Sequence, residues 1–106
     1  MISETKTRGL GIEDLIGGKR DEVLRLADKH GATNVRVFGS VARGDARPDS
    51  DIDLLVDWEY DRLSFWGGAG LGIELQGLLG CEVDIVSAKW LNPLLRDRIL
   101  QEAVLL

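Results

Sequence analysis

Apolar residues recur along the chain with two periods. Ile12, Leu15 and Ile16 open a helical spacing that Val23, Leu26 and Ala27 continue, the interval of a helix with one buried face. Gly17-Gly18 interrupts it, so the pattern predicts a short helix, a hinge and a second helix over residues 19–30, with Gly31 just past its end. The period then drops to two. Residues 34–38 read as a strand with Val35 and Val37 on one face, ended by Gly39. Ser40 to Arg43 fit a short helix, and residues 44–50, with Pro48, a turn-rich loop. Residues 51–56 read as a second strand. Helical spacing returns over 62–79, with Trp66, Ala69, Ile73 or Leu75, and Leu78-Leu79 as inward candidates and Gly80 as the stop. Residues 82–87 read as a third strand, and 91–104 as a final amphipathic helix carried by Leu95, Ile99, Leu100 and Ala103.

The order helix, strand, strand, helix, strand, helix predicts an α/β (α+β) fold, a small mixed sheet covered by helices. A chain of 106 residues makes one domain. Residues 1–9 are polar and expected to be loose, which leaves 10–106 as the domain. Charge narrows the partners. Thirteen Lys and Arg stand against 18 Asp and Glu, net −5, with no basic run. Sequence-general binding to duplex nucleic acid is not expected, and a triphosphate would need local Arg, Lys or metal ions. Cys81 is the only cysteine, so no internal disulfide can form. With no apolar leader and no run of membrane-spanning length, the expected location is the cytoplasm.

The chemistry concentrates between Phe38 and Val56. Side chains two apart in a strand share a face, so Asp51 and Asp53 would stand side by side while Ile52, Leu54 and Val56 enter the core. Neighbouring like charges in a strand repel. A hard cation between them removes the conflict, and oxygen ligands that leave room for water and phosphate suit magnesium. Asp84 sits between Val83 and Ile85, where an acid has no packing role. Three acids on adjacent strands would form a two-metal site for phosphoryl or nucleotidyl transfer. The turn at Gly39-Ser40 offers free N–H groups, a hydroxyl and close backbone approach, features that bind phosphate. Each element alone has an ordinary structural explanation; together, with Gly-Ser about a dozen residues ahead of Asp-x-Asp, they point to a site.

The pattern Gly39-Ser40-x-x-Arg43-Gly44, followed by Ser50-Asp51-x-Asp53-Leu54, resembles the signature of the DNA polymerase β-type nucleotidyltransferases, and more closely their minimal nucleotidyltransferase branch. The likeness runs over nearly the whole chain, including Val83 to Val86 and the closing segment 98–103. It implies that Asp51, Asp53 and Asp84 hold two magnesium ions. It also implies that Asp84 helps deprotonate the acceptor and that Gly39 and Ser40 hold the triphosphate of ATP. Arg43 either stabilises charge near the phosphates or ties the loop to the sheet. Stand-alone chains of this kind are typically antitoxins paired with a HEPN-domain ribonuclease toxin, which they silence by adenylylating a tyrosine. The resemblance therefore implies AMP transfer to such a partner. The alternatives are a small-molecule acceptor such as an antibiotic, whose enzymes usually carry an extra helical domain, and inhibition of the toxin by contact alone. Acceptor choice is expected to lie in loops around residues 57–66.

Other features invite a plainer reading. The run Gly67-Gly68-Ala69-Gly70-Leu71-Gly72 lacks the Lys-Ser or Lys-Thr of a phosphate loop and reads as a helix start. His30 stands at a helix end, where a structural or solvent-facing role is expected, and Cys81 reads as a small buried apolar residue. Trp58, Trp66 and Trp90 read as core or interface anchors. Leu105 and Leu106 would cover the sheet or meet a partner.

Overall fold

The computed structural model describes residues 9–62 and 68–106. The helices are α1 (Ile12–Leu15), α2 (Arg20–Lys29), α3 (Gly39–Arg43), α4 (Gly68–Leu79) and α5 (Pro93–Glu102). The strands are β1 (Ala32–Phe38), β2 (Ile52–Trp58), β3 (Val83–Ser87) and β4 (Val104–Leu105). They form one sheet in the order β3-β2-β1-β4. β1 runs antiparallel to β2 and β4, and β2 runs parallel to β3. The mixed α/β architecture is the expected one.

One face of the sheet is the core. Val35 and Val37 of β1, Ile52, Leu54 and Val56 of β2, and Val83 of β3 cluster there with Val23, Leu26 and Ala27 of α2 and Leu71 and Leu75 of α4. On α2 the helical spacing of Val23, Leu26 and Ala27 brings those three to the sheet, as the periodicity requires. His30 follows this helix and is buried, with its Nε2 2.7 Å from Glu74 Oε1 on α4; Lys29 Nζ donates to the same carboxylate at 3.0 Å. His30 thus has the structural role expected of it, joining two helices.

Several boundaries differ from the pattern, each for a physical reason. β1 starts at Ala32 rather than residue 34. Asn34 has φ 52°, and the register with β2 shifts between Thr33 and Arg36, so a bulge breaks the alternation in mid-strand. β2 begins at Ile52, leaving Asp51 just ahead of it, and runs on to Trp58. On α4 the inward residue is Leu75, joined by Leu71, while Ile73 and Ala69 point to solvent. Gly70 and Gly72 fall inside that helix. Trp66, Gly67 and part of the expected helix over 62–79 lie outside the described residues, as do residues 1–8. Gly9 is in place: a Cβ there would collide with the backbone of Gly44 and Asp45, and Leu10 pairs with Ala46.

The largest correction is at the C-terminal end. The helix expected over 91–104 stops at Glu102, and Val104 belongs to a strand that pairs with β1. Asn92 caps the helix by accepting the Leu94 N–H at 2.9 Å, and Pro93 takes the first position. None of its residues is buried, Leu95 and Leu100 included, so the apolar face expected to enter the core does not. Leu106 packs against the core, whereas Leu105 is exposed. Among the described residues, no helix is long and apolar enough to cross a membrane.

Candidate active site

The expected acids gather at the start of β2 and β3. Asp53 is in register with Asp84 across the parallel pair and with Phe38 across the antiparallel one. Paired residues of adjacent strands present their side chains to the same face. Here it is the face opposite the core, because the flanking Ile52 and Leu54 are fully buried. Asp53 is half-buried, whereas Asp51 and Asp84 are exposed. Burial, then the charges of Asp84, Asp51 and Glu102, push the Asp53 carboxyl above the usual aspartate range, and Arg43 only partly offsets them. Asp51 also adds to the rise that burial imposes on the half-buried Cys81 thiol.

The Gly-Ser turn meets these acids directly. Gly39 is the first residue of α3 and has φ 75°, a left-handed conformation that glycine adopts without cost. A Cβ built on it would collide with the Asp53 carboxylate. Glycine is therefore required twice, by the backbone turn and by the acid lying against it. Gly44, also at positive φ (81°), ends α3, and the Ser50 hydroxyl accepts the Arg47 N–H at 2.8 Å to close the following loop. The two halves of the motif are thus joined by a short helix and a pinned turn, which bring Gly39 and Asp53 into contact.

Arg43 turns toward carboxylates. Its Nη1 donates to Glu102 Oε1 at 2.9 Å and its Nε to Asp45 Oδ2 at 3.3 Å, and these bonds push its pKa up. These bonds tie Arg43 to α5 and to the loop after α3, not to the sheet. Glu102, the last residue of α5, also accepts the Gly39 N–H at 3.2 Å. It was not among the expected site residues. A negative group in the last turn of a helix opposes the helix dipole, and that misplacement is the clue that could have marked it.

The donor set suits a hard cation: carboxylate oxygens only, on adjacent strands, with repulsion that a cation would relieve. Among the described residues, no group of three or more His, Cys, Asp or Glu side chains converges to enclose an ion. The paired Asp53 and Asp84 offer oxygen ligands of the kind that suit magnesium.

The model of the nucleotidyltransferase domain family matches residues 20–106. The chain belongs to that family. It is a transferase of the nucleotidyltransferase class, of the minimal kind resembling MntA. Protein adenylyltransferase MntA of Thermococcus cleftensis is 36% identical over 93 residues, covering 88% of this chain and 90% of that protein. MJ0435 of Methanocaldococcus jannaschii, provisionally named a protein adenylyltransferase, is 40% identical over 83 residues, 78% of this chain and 88% of its own. A solved structure provisionally described as a minimal nucleotidyltransferase has 50% identity and a TM-score of 0.77, covering 92% of this chain and 97% of that one. A toxin–antitoxin crystal structure with AMP-PNP shares the fold, with a TM-score of 0.67 at 22% identity over 80% of this chain and 69% of its own.

Proposed function

We propose that this chain is an antitoxin that transfers AMP from ATP, with magnesium, to a tyrosine hydroxyl of a HEPN-domain ribonuclease toxin in the cytoplasm. The observation that carries the reading is the pairing of Asp53 with Asp84 beside the Gly39 turn. Relatives that bear the name protein adenylyltransferase support the acceptor class. The name MntA and the toxin–antitoxin fold neighbour support the partner.

In this mechanism Asp51, Asp53 and Asp84 would hold the magnesium ions. Bound there, magnesium would neutralise the carboxylates, stabilise charge on the phosphate oxygens and acidify the acceptor hydroxyl. Gly39 and Ser40 receive the triphosphate through the Ser40 N–H and hydroxyl and the close backbone approach that Gly39 allows, the Gly39 N–H being taken by Glu102. Asp84, the exposed acid on the outer strand, takes the acceptor proton. The tyrosine oxygen forms a bond to the α-phosphorus as the bond from that phosphorus to the bridging oxygen breaks. Pyrophosphate leaves with that electron pair, and the proton passes from Asp84 to water. Catalysis comes from holding the two reactants in line and from charge stabilisation.

A second reading, inhibition by contact, is favoured by one feature. Trp90, Leu94 and Leu105 are 73%, 91% and 59% exposed, large apolar side chains turned largely to solvent. The deciding experiment is the intact mass of the toxin after incubation with this protein, ATP and magnesium, beside an Asp51→Asn, Asp53→Asn double variant. Mass gained in whole AMP units only with the unmutated protein is expected. An unchanged mass, with toxin inhibited equally by both proteins, would leave contact as the function. Mass gained by an antibiotic instead of the toxin would move the enzyme to small-molecule chemistry.

A further inference from the structure

Glu102 is placed where neither its own helix nor the core asks for an acid. It sits in the last turn of α5, against the negative end of the helix dipole, in a helix with no buried residue. Yet its side chain is only 19% exposed. Its two oxygens bridge two parts of the glycine turn. Oε2 accepts the Gly39 N–H at 3.2 Å, and Oε1 accepts Arg43 Nη1 at 2.9 Å. Arg43 closes the other end of α3 and is steadied by Asp45. The carboxylate therefore clamps both ends of a five-residue helix whose first residue lies against Asp53.

We infer that Glu102 is a positioning residue for the nucleotide. By engaging the Gly39 N–H and the Arg43 guanidinium, it sets the pitch of α3, leaves the Ser40 N–H and hydroxyl to the phosphates, and keeps Arg43 off them. Hydrogen bonds to a charged acceptor are stronger and more directional than neutral ones, so one side chain suffices to hold the turn. The inference rests on the reading of Gly39-Ser40 as the phosphate turn.

The test is the affinity of the full chain for ATP with magnesium, measured by calorimetry for the unmutated protein, Glu102→Ala, Glu102→Gln and Ser40→Ala. Glutamine keeps an oxygen that can accept the Gly39 N–H; alanine removes it. Glu102→Ala is expected to weaken binding about tenfold, and Glu102→Gln to recover most of the loss. The amide resonance of Gly39 is expected to move in the alanine variant and far less in the glutamine one. If the alanine variant does not fold, Glu102→Asp, one methylene too short to reach both donors, is expected to show the same weakening. Unchanged or tighter binding by the shortened variants would overturn the inference, as would a glutamine variant no better than alanine. Equal affinity of the unmutated protein and Ser40→Ala, with no movement of the Ser40 amide resonance when ATP is added, would instead remove the phosphate-turn reading, and this inference with it.

Discussion

The two faces of β2 do opposite work with alternate residues. Ile52, Leu54 and Val56 lie in the core beneath α2 and α4, with essentially no solvent exposure. Asp53, between two of them, is turned to the other face, where it meets Asp84 and the Gly39 turn. Leu55, also fully buried, lies outside the core cluster. The contrast teaches that the core face provides rigidity and the acid face holds stress. Two carboxylates that would drift apart in a loop are kept side by side because the residues flanking each are locked.

The strongest test of this division exchanges the two kinds of damage. Asp53→Asn is expected to lower AMP transfer to the toxin by about a thousandfold or more, a loss of the size seen when a preorganised charge-stabilising group is removed, without lowering the thermal midpoint. Leu54→Ala is expected to do the reverse, costing roughly 2–5 kcal/mol in urea denaturation while the folded fraction keeps its rate. If Asp53→Asn unfolds the protein, the acid face is part of the scaffold and the contrast fails.

Gly39→Ala tests where the faces meet. The new methyl group suffers both the left-handed backbone and the Asp53 carboxylate, so a loss of about 1–3 kcal/mol is expected, together with weakened ATP binding. Combining it with Asp53→Ala should recover part of the stability, because the collision is gone and only the backbone strain remains. Full additivity in that pair would separate the turn from the acid.

Acidity sharpens the comparison further. With divalent ions chelated, burial and the neighbouring Asp84 and Asp51 hold the Asp53 pKa above its unfolded value. The stability this group contributes is therefore fully present below the unfolded pKa, about 4, and is lost as pH rises through the folded pKa. Thermal melts are expected to show Asp53→Asn more stable than the unmutated protein at neutral pH, with the difference closing in acid. Magnesium is expected to raise the melting temperature of the unmutated protein much more than that of the variant. Equal melting of both proteins across this range would mean that the acids carry no stress. The smallest change concerns neither face. Leu94→Ser should alter folding by less than about 0.5 kcal/mol, since Leu94 is 91% exposed. If inhibition by contact operates, the same change weakens toxin binding, measured by titration calorimetry.

Legibility in the sequence followed the distinction between local and distant causes. α2 could be read because its apolar spacing answers directly to burial. The segment around Asp51 and Asp53 could be read because alternation fixes which side chains share a face, and the structure brings Asp53 and Asp84 together. The pattern shortens β1 by two residues because the bulge at Asn34 resets the alternation. α5 looks amphipathic in sequence, yet Leu94, Leu95 and Leu100 are exposed, so pattern alone misplaces its apolar face. Val104 and Leu105 were hidden for a related reason: a two-residue strand has no period of its own and exists only because β1 offers an open edge. Glu102 lay in the same blind region, since its partners, Gly39 and Arg43, lie 63 and 59 residues earlier in the chain.

The parallel pairing of β2 with β3 has a kinetic consequence. The chain between them must pass through α4 before Asp84 can reach Asp53, so this contact has a high closure entropy and is expected to form late. A folding intermediate with β1 and β2 already joined would hold the Gly39 turn with Asp51 and Asp53 but not Asp84, and would be inert. Turnover by a nascent or partly refolded chain is thus gated by this non-local pairing, and recovery of AMP transfer after dilution from denaturant should lag behind recovery of helical signal.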